Sequence, residues 1–135
     1  MNKLILVLCL TTGLATAQNA LWIDLSGEWR MLEGEDNPEF ADPAYDDSKW
    51  SSYKLPAGSN RPPAQMWLRR TAVLPDGTDK TKLALTLGTI NEAYEVYVNG
   101  VRVGGTGGFT SWDYKIPRPL TFPIPGSAIP DTVAR

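Results

Sequence analysis

An antiparallel β-sandwich is the fold class that this 135-residue sequence predicts. Three observations carry the prediction. Apolar residues recur with period two in several short runs, an Asn-Gly pair joins two of those runs, and no window has the spacing of a long amphipathic helix. Twelve glycines and eleven prolines supply the turn signals between runs, as a sandwich of short strands requires.

The N-terminus reads differently from the rest. Lys3 gives a short positive start, Leu4 to Leu14 is apolar apart from Thr11, Thr12 and Gly13, and Ala15-Thr16-Ala17 has the small-x-small pattern of a cleavage site. Residues 1–17 are thus expected to be a cleavable signal peptide, leaving residues 18–135 as one exported domain, periplasmic or extracellular. The apolar run is too short for a bilayer core, which takes about 20 residues, and no later segment is a candidate span. Cys9 lies in the middle of this run, away from where a lipid-attachment cysteine would stand, and should leave with it.

Strands are expected at Glu28–Leu32, after the Ser26-Gly27 turn, and at Trp67–Val73, stopped by Pro75-Asp76-Gly77. Lys82–Gly88 places Leu83, Leu85 and Leu87 on one face, and Tyr94–Val98 does the same with Tyr94, Val96 and Val98. Asn99-Gly100 lies between Val96-Tyr97-Val98 and Val101-Arg102-Val103, the pairing expected of a type I′ hairpin turn. The long connection from Glu33 to Tyr53 carries Phe40, Tyr45 and Trp50 at five-residue spacing, which suits a loop pinned to the sandwich by aromatic anchors. Within it, a single helical turn is expected at Pro43–Ser48, capped by Asp42. Towards the end, Pro117, Pro119, Pro123, Pro125 and Pro130 exclude a helix or a central strand. No closing element is legible there, so the domain is expected to be C-terminally incomplete.

Composition narrows the chemistry. There is no histidine and one cysteine, and the net charge is −2; loss of Lys3 would make it one unit more negative. Beyond residue 17 this removes disulfides, thiol nucleophiles, imidazole metal sites and histidine triads. No basic field invites nucleic acid, and no cofactor motif is present.

The ordered series Leu25-Ser-Gly-Glu-Trp-Arg30, Asp46-Asp-Ser-Lys-Trp50, Leu55-Pro56, Trp67-Leu-Arg-Arg-Thr71, Leu85-Thr-Leu-Gly88, Glu95-Val-Tyr-Val-Asn-Gly100 and Val103-Gly-Gly105 carries a resemblance. Together these segments resemble the galactose-binding-like jelly roll, as in the N-terminal sugar-binding domain of glycoside hydrolase family 2. Gly88-Thr-Ile-Asn-Glu-Ala-Tyr94, Pro117-Arg-Pro119 and Phe122-Pro123 look more like the exported N-terminal domain of bacterial membrane-bound PPM-type serine phosphatases and sensor histidine kinases. The resemblance implies a jelly roll with a further apolar, Val-rich last strand, which this sequence lacks. It also implies that any catalytic acids of the glycosidase family lie in a different domain.

Each candidate site competes with a structural role. Carboxylates such as Asp24, Glu33, Glu35, Asp36, Glu39, Asp42, Asp46, Asp47, Glu92 and Glu95 are numerous, but a glycosidase needs two at a fixed separation across a cleft. Asp42, Asp46 and Asp47 are candidate calcium ligands, with capping of the loop as the alternative. Gly104-Gly105-Thr106-Gly107-Gly108 lacks the Lys-Ser/Thr ending of a phosphate loop and reads as a mobile turn after the hairpin. For carbohydrate, Trp67, Arg69, Tyr97 and Trp112 form the candidate set, with rings to stack on pyranose faces and polar groups for hydroxyls. Trp67 and Arg69 fall on the same face of one strand. Trp22, Trp29, Trp50 and Trp67 could equally be core or loop anchors. The expected function is a non-catalytic extracytoplasmic sensory or ligand-binding module of a membrane signalling protein, with carbohydrate as a candidate ligand. The alternatives are an accessory domain of a secreted glycosidase and a purely structural domain.

Overall fold

A computed structural model describes residues 3–13, 22–57, 65–107 and 118–130. Within them lie eight strands: β1 (Lys3–Gly13), β2 (Gly27–Glu33), β3 (Ser51–Leu55), β4 (Gln65–Pro75), β5 (Ala84–Leu87), β6 (Ala93–Val98), β7 (Val101–Thr106) and β8 (Leu120–Pro123). They form a six-stranded sheet in the order β3-β2-β4-β1-β6-β7 and a two-stranded sheet of β5 and β8. The architecture is all-β and sandwich-like, as the periodicity predicts.

Alternation sets the faces of the large sheet. One face puts Leu68, Tyr94, Val96 and Val98 against Leu85 of β5 and Ile124, Ala128 and Ile129 from the segment after β8. The opposite face buries Trp67 beneath Phe40, Ala41 and Trp50 of the long β2–β3 connection. That connection therefore acts as a second cover, pinned by the aromatic residues whose spacing marks them as anchors. Trp29 sits in the first core and donates its Nε1–H to the Leu25 carbonyl at 2.9 Å.

The residues read as a leader form β1, the central strand, paired along eleven residues with β4 and along six with β6. Its side chains Ile5 to Leu10 are all buried, Cys9 included. Burying one Ile, Leu or Val side chain fully contributes about 1.5–3 kcal/mol, and five of them occur between Ile5 and Leu10. Their sum, on the order of 10 kcal/mol as an upper estimate, is comparable with the whole net stability of a domain.

The helical turn lies earlier than expected. It is a 3₁₀ turn at Pro38–Ala41, where Asn37 caps by accepting from Glu39 N and Pro38 opens the turn. Asn37-Pro38 carries the same cap-then-proline signature that Asp42-Pro43 offers, and the former nucleates the turn. The proline-rich segment also docks. β8 pairs with β5 from Leu120 to Pro123, and a 3₁₀ turn at Gly126–Ala128 brings Ile129 into the core. A two-stranded sheet has only edges, so a proline at a strand end is tolerated there.

Of the glycines after the hairpin, the first two are strand rather than turn. Gly104 and Gly105 lie inside β7, where Gly105 pairs with Glu95. A Cβ on Gly104 would collide with the Phe122 ring, and one on Gly105 would lie 2.5 Å from the Tyr94 carbonyl oxygen. Glycine is there so that β8 and β6 can approach closely. The Asn99-Gly100 turn is as expected, with φ of 48° and 82°. β3 has no strong alternation of its own and forms by pairing with β2.

Candidate functional site

The residues expected to bind sugar divide into three groups. Trp67 and Arg69 share a face of β4, as their spacing predicts, but that face is covered and each residue is only 2% exposed. Tyr97 is half-buried, and its ring stacks on Trp67 with centroids 6.3 Å apart. Trp112 lies outside the described residues. The expectation that Trp67 and Arg69 offer an open platform is therefore corrected: the β2–β3 connection occupies the space a sugar ring would need.

Arg69 organises that connection instead. Its Nε donates to Asp47 Oδ2 at 2.9 Å, Nη1 donates to the Asp42 carbonyl at 3.0 Å and also to the Phe40 carbonyl, and Nη2 donates to the Tyr45 carbonyl at 3.4 Å. The guanidinium carbon stands 5.7 Å from the Tyr45 ring centroid and 5.9 Å from that of Trp50. A planar fork with five donors can hold three backbone carbonyls and a carboxylate at once, which lysine could not do. Phe40 meets Tyr45, Trp50 and Trp67 edge-on at 5.1–5.3 Å, the arrangement that aromatic quadrupoles favour. The Trp67 Nε1–H is buried with no partner among the described residues.

The calcium candidates are spent on the same loop. Asp42 accepts from Ala44 N at 2.8 Å, Asp46 accepts from Ser48 N at 3.0 Å, and Asp47 pairs with Arg69. The Ser48 backbone bond, with its side chain, holds the Asp46 carboxyl below the usual carboxylate range. No three acidic, His or Cys side chains converge as a metal site among the described residues. Asp24 is held low likewise by the backbone and hydroxyl of Ser26, and Glu95 receives the Tyr97 hydroxyl at 3.0 Å beside Arg102 at 3.7 Å.

A concavity of about 1240 Å³ opens between the two sheets. The β5–β8 sheet has two strands against six, so it cannot cover the whole inner face of its partner. Leu6, Leu8 and Leu10 of β1 line the cleft from the large sheet with Trp29, Tyr53 and Leu68, and Leu85 and Leu87 line it from the small one. Asp24, Ser26, Asn91 and Glu92 bring polar groups to it. Trp22 also lines it and is 80% exposed. This is an apolar trough with a few polar groups, the usual make-up of a small-ligand site. Sequence reasoning placed Trp22 among core or loop anchors, because nothing local distinguishes an exposed tryptophan from a buried one.

No protein-family model matches this chain, and none of the curated proteins or solved structures matches it.

Proposed function

We propose that this chain is a non-catalytic, exported ligand-binding module of a bacterial membrane signalling protein of the phosphatase or histidine kinase type. We place its ligand in the cleft between the sheets, with carbohydrate as the ligand class. The assignment to a signalling protein rests on the sequence resemblance. The observation that carries the binding reading is the exposed Trp22 ring beside an apolar trough with Asp24, Asn91 and Glu92 on it. A ring open on one face can stack on a pyranose while the polar groups take its hydroxyls.

Calorimetry of the protein against mono- and oligosaccharides tests this. Weak single sites of this kind have dissociation constants near millimolar, about −4 kcal/mol. Trp22→Ala should abolish the binding heat and leave the urea midpoint unmoved. Binding that survives Trp22→Ala means that Trp22 is not the platform. If no sugar binds the folded protein, the reading of a purely structural domain takes over, and the burial of Trp67 and Arg69 as packing elements favours it.

A further inference from the structure

The outer face of the large sheet is covered unevenly. The β2–β3 connection seals it over Trp67, and beside that cover, among β2, β3 and β4, a hollow of about 530 Å³ stays open. Its walls carry Glu28 and Arg30 from β2, Ser52 from β3, Arg69 and Thr71 from β4, and Asp47 from the connection. Trp29 and Arg70 also border it, but the Trp29 ring lies in the first core and the Arg70 guanidinium holds the Leu25 and Ser26 carbonyls. An apolar hollow would call for more protein to cover it. Charged and hydroxyl groups are satisfied by water, so this one stands open in the folded chain. Its size is within the roughly 300–1,000 Å³ of small-ligand pockets.

The charges around it are only partly used. Asp47 gives Oδ2 to Arg69 Nε at 2.9 Å, and its other oxygen has no partner among the described residues. Glu28 accepts the Ser52 hydroxyl on Oε2, and its other oxygen is likewise open. Arg30 meets no carboxylate among the described residues; its one bond runs from Nη1 to the Trp50 carbonyl at 3.4 Å, long for a hydrogen bond. Glu28 and Arg30 stand on the same face of β2, about 6.6 Å apart along the strand, and Ser52 faces Arg30 from β3. Lys54, opposite Glu28 on β3, does not line the hollow. One cationic fork thus sits near two carboxylates without pairing with either. Two carboxylates are too few to cage a metal ion, and they repel a simple anion. Their complement, with Arg30, is a positive and a negative group on one small molecule.

From this arrangement we infer that the hollow binds a small zwitterion of the α-amino acid class. The ligand carboxylate takes the Arg30 fork together with the Ser52 hydroxyl, and the ligand ammonium lies between Glu28 and Asp47. A guanidinium matches a carboxylate with two parallel donors, and an ammonium has three donors to share between two carboxylates. Of the lining, only Trp29 is shared with the cleft between the sheets. The site is therefore independent of the carbohydrate reading of that cleft.

The probe is glycine, titrated into the full-length chain labelled with nitrogen-15 and followed by amide chemical shifts. The expected result is a saturable shift concentrated at Glu28, Arg30, Asp47, Ser52 and Thr71. Acetate and methylammonium each carry one half of the zwitterion, and each should bind about tenfold more weakly than glycine. Arg30→Gln and Glu28→Gln keep polar side chains at exposed positions, so the urea midpoint should hold while glycine affinity falls about tenfold in each. Arg30→Gln should in addition leave methylammonium binding unchanged, which a general loosening of the fold would not do. Trp22→Ala should leave glycine binding as it is. Absence of a saturable shift overturns the inference. So does acetate binding as tightly as glycine, which would make this an anion contact only, and so does full glycine affinity in Arg30→Gln.

Discussion

At the residue scale, Arg69 shows how a charge becomes tolerable inside a sandwich. Burying an unpaired guanidinium would be prohibitive, but here Asp47, three backbone carbonyls and two aromatic rings replace its water. Arg69→Ala leaves those carbonyls and the carboxylate without their donor, and should destabilise the fold by about 3–5 kcal/mol. Arg69→Lys should recover only part of that loss, because an ammonium cannot span the fork. Urea unfolding followed by tryptophan fluorescence measures both, and equal midpoints for Lys and Arg would dismiss the fork argument. Asn99 and Gly100 are constrained by backbone rather than charge. Their φ values of 48° and 82° are hostile to a β-branched residue, so Asn99→Val or Gly100→Val should each cost roughly 1–3 kcal/mol. Asn99→Val should be the worse of the two, since it also removes the amide that holds Leu10 and Ala128.

At the scale of elements, the β6–β7 hairpin and β8 fit together through missing side chains. The edge of the Phe122 ring occupies the space above Gly104, and the same ring meets Tyr94 edge-on at 6.2 Å. Gly104→Ala should therefore cost about 1–3 kcal/mol through overpacking. Combining it with Phe122→Leu should give less than the sum of the separate losses, because the smaller side chain makes room. A double-mutant cycle by chemical denaturation reads this coupling, and strict additivity would mean that the ring does not stand over β7. The β2–β3 connection behaves as an element too. It has one 3₁₀ turn but is fixed by Asx-type bonds, an arginine hub and a cluster of edge-on rings, so it covers the sheet as a layer would.

For the whole molecule, β1 is the decisive piece. It is shared by both cores, and its apolar side chains account for an amount of stabilisation comparable with a domain's net stability. Cys9 reports on it directly. Burial, opposed in part by Arg69, pushes the Cys9 thiol above its ordinary value. A raised thiol pKa contributes stability that is complete below the unfolded value and is lost as pH rises through the folded one. Alkaline solution should therefore favour release of β1. Iodoacetamide labelling of Cys9 in the intact chain should stay slow at neutral pH and speed up steeply above the ordinary thiol range. In urea at neutral pH it should be fast. Rapid labelling of the native chain at neutral pH would mean that β1 is not docked.

Local pattern was enough for the β class, the positions of β2, β4, β5 and β6, the left-handed turn at Asn99-Gly100 and the anchoring role of Phe40, Tyr45 and Trp50. These follow from period-two burial, from the φ > 0 that such turns demand and from the regular spacing of rings, all of which are local. Tertiary structure alone decided that Trp67 and Arg69 are buried, that Trp22 stands open, that Gly104 and Gly105 belong to a strand and that residues 120–129 close the small sheet. It alone put an apolar segment with the pattern of a leader between β4 and β6. The reason is common to all of these: an apolar run or a tryptophan carries the same local signal whether it faces a translocation channel, a ligand or a core. Only the partners that come together from distant parts of the chain settle which of these it meets.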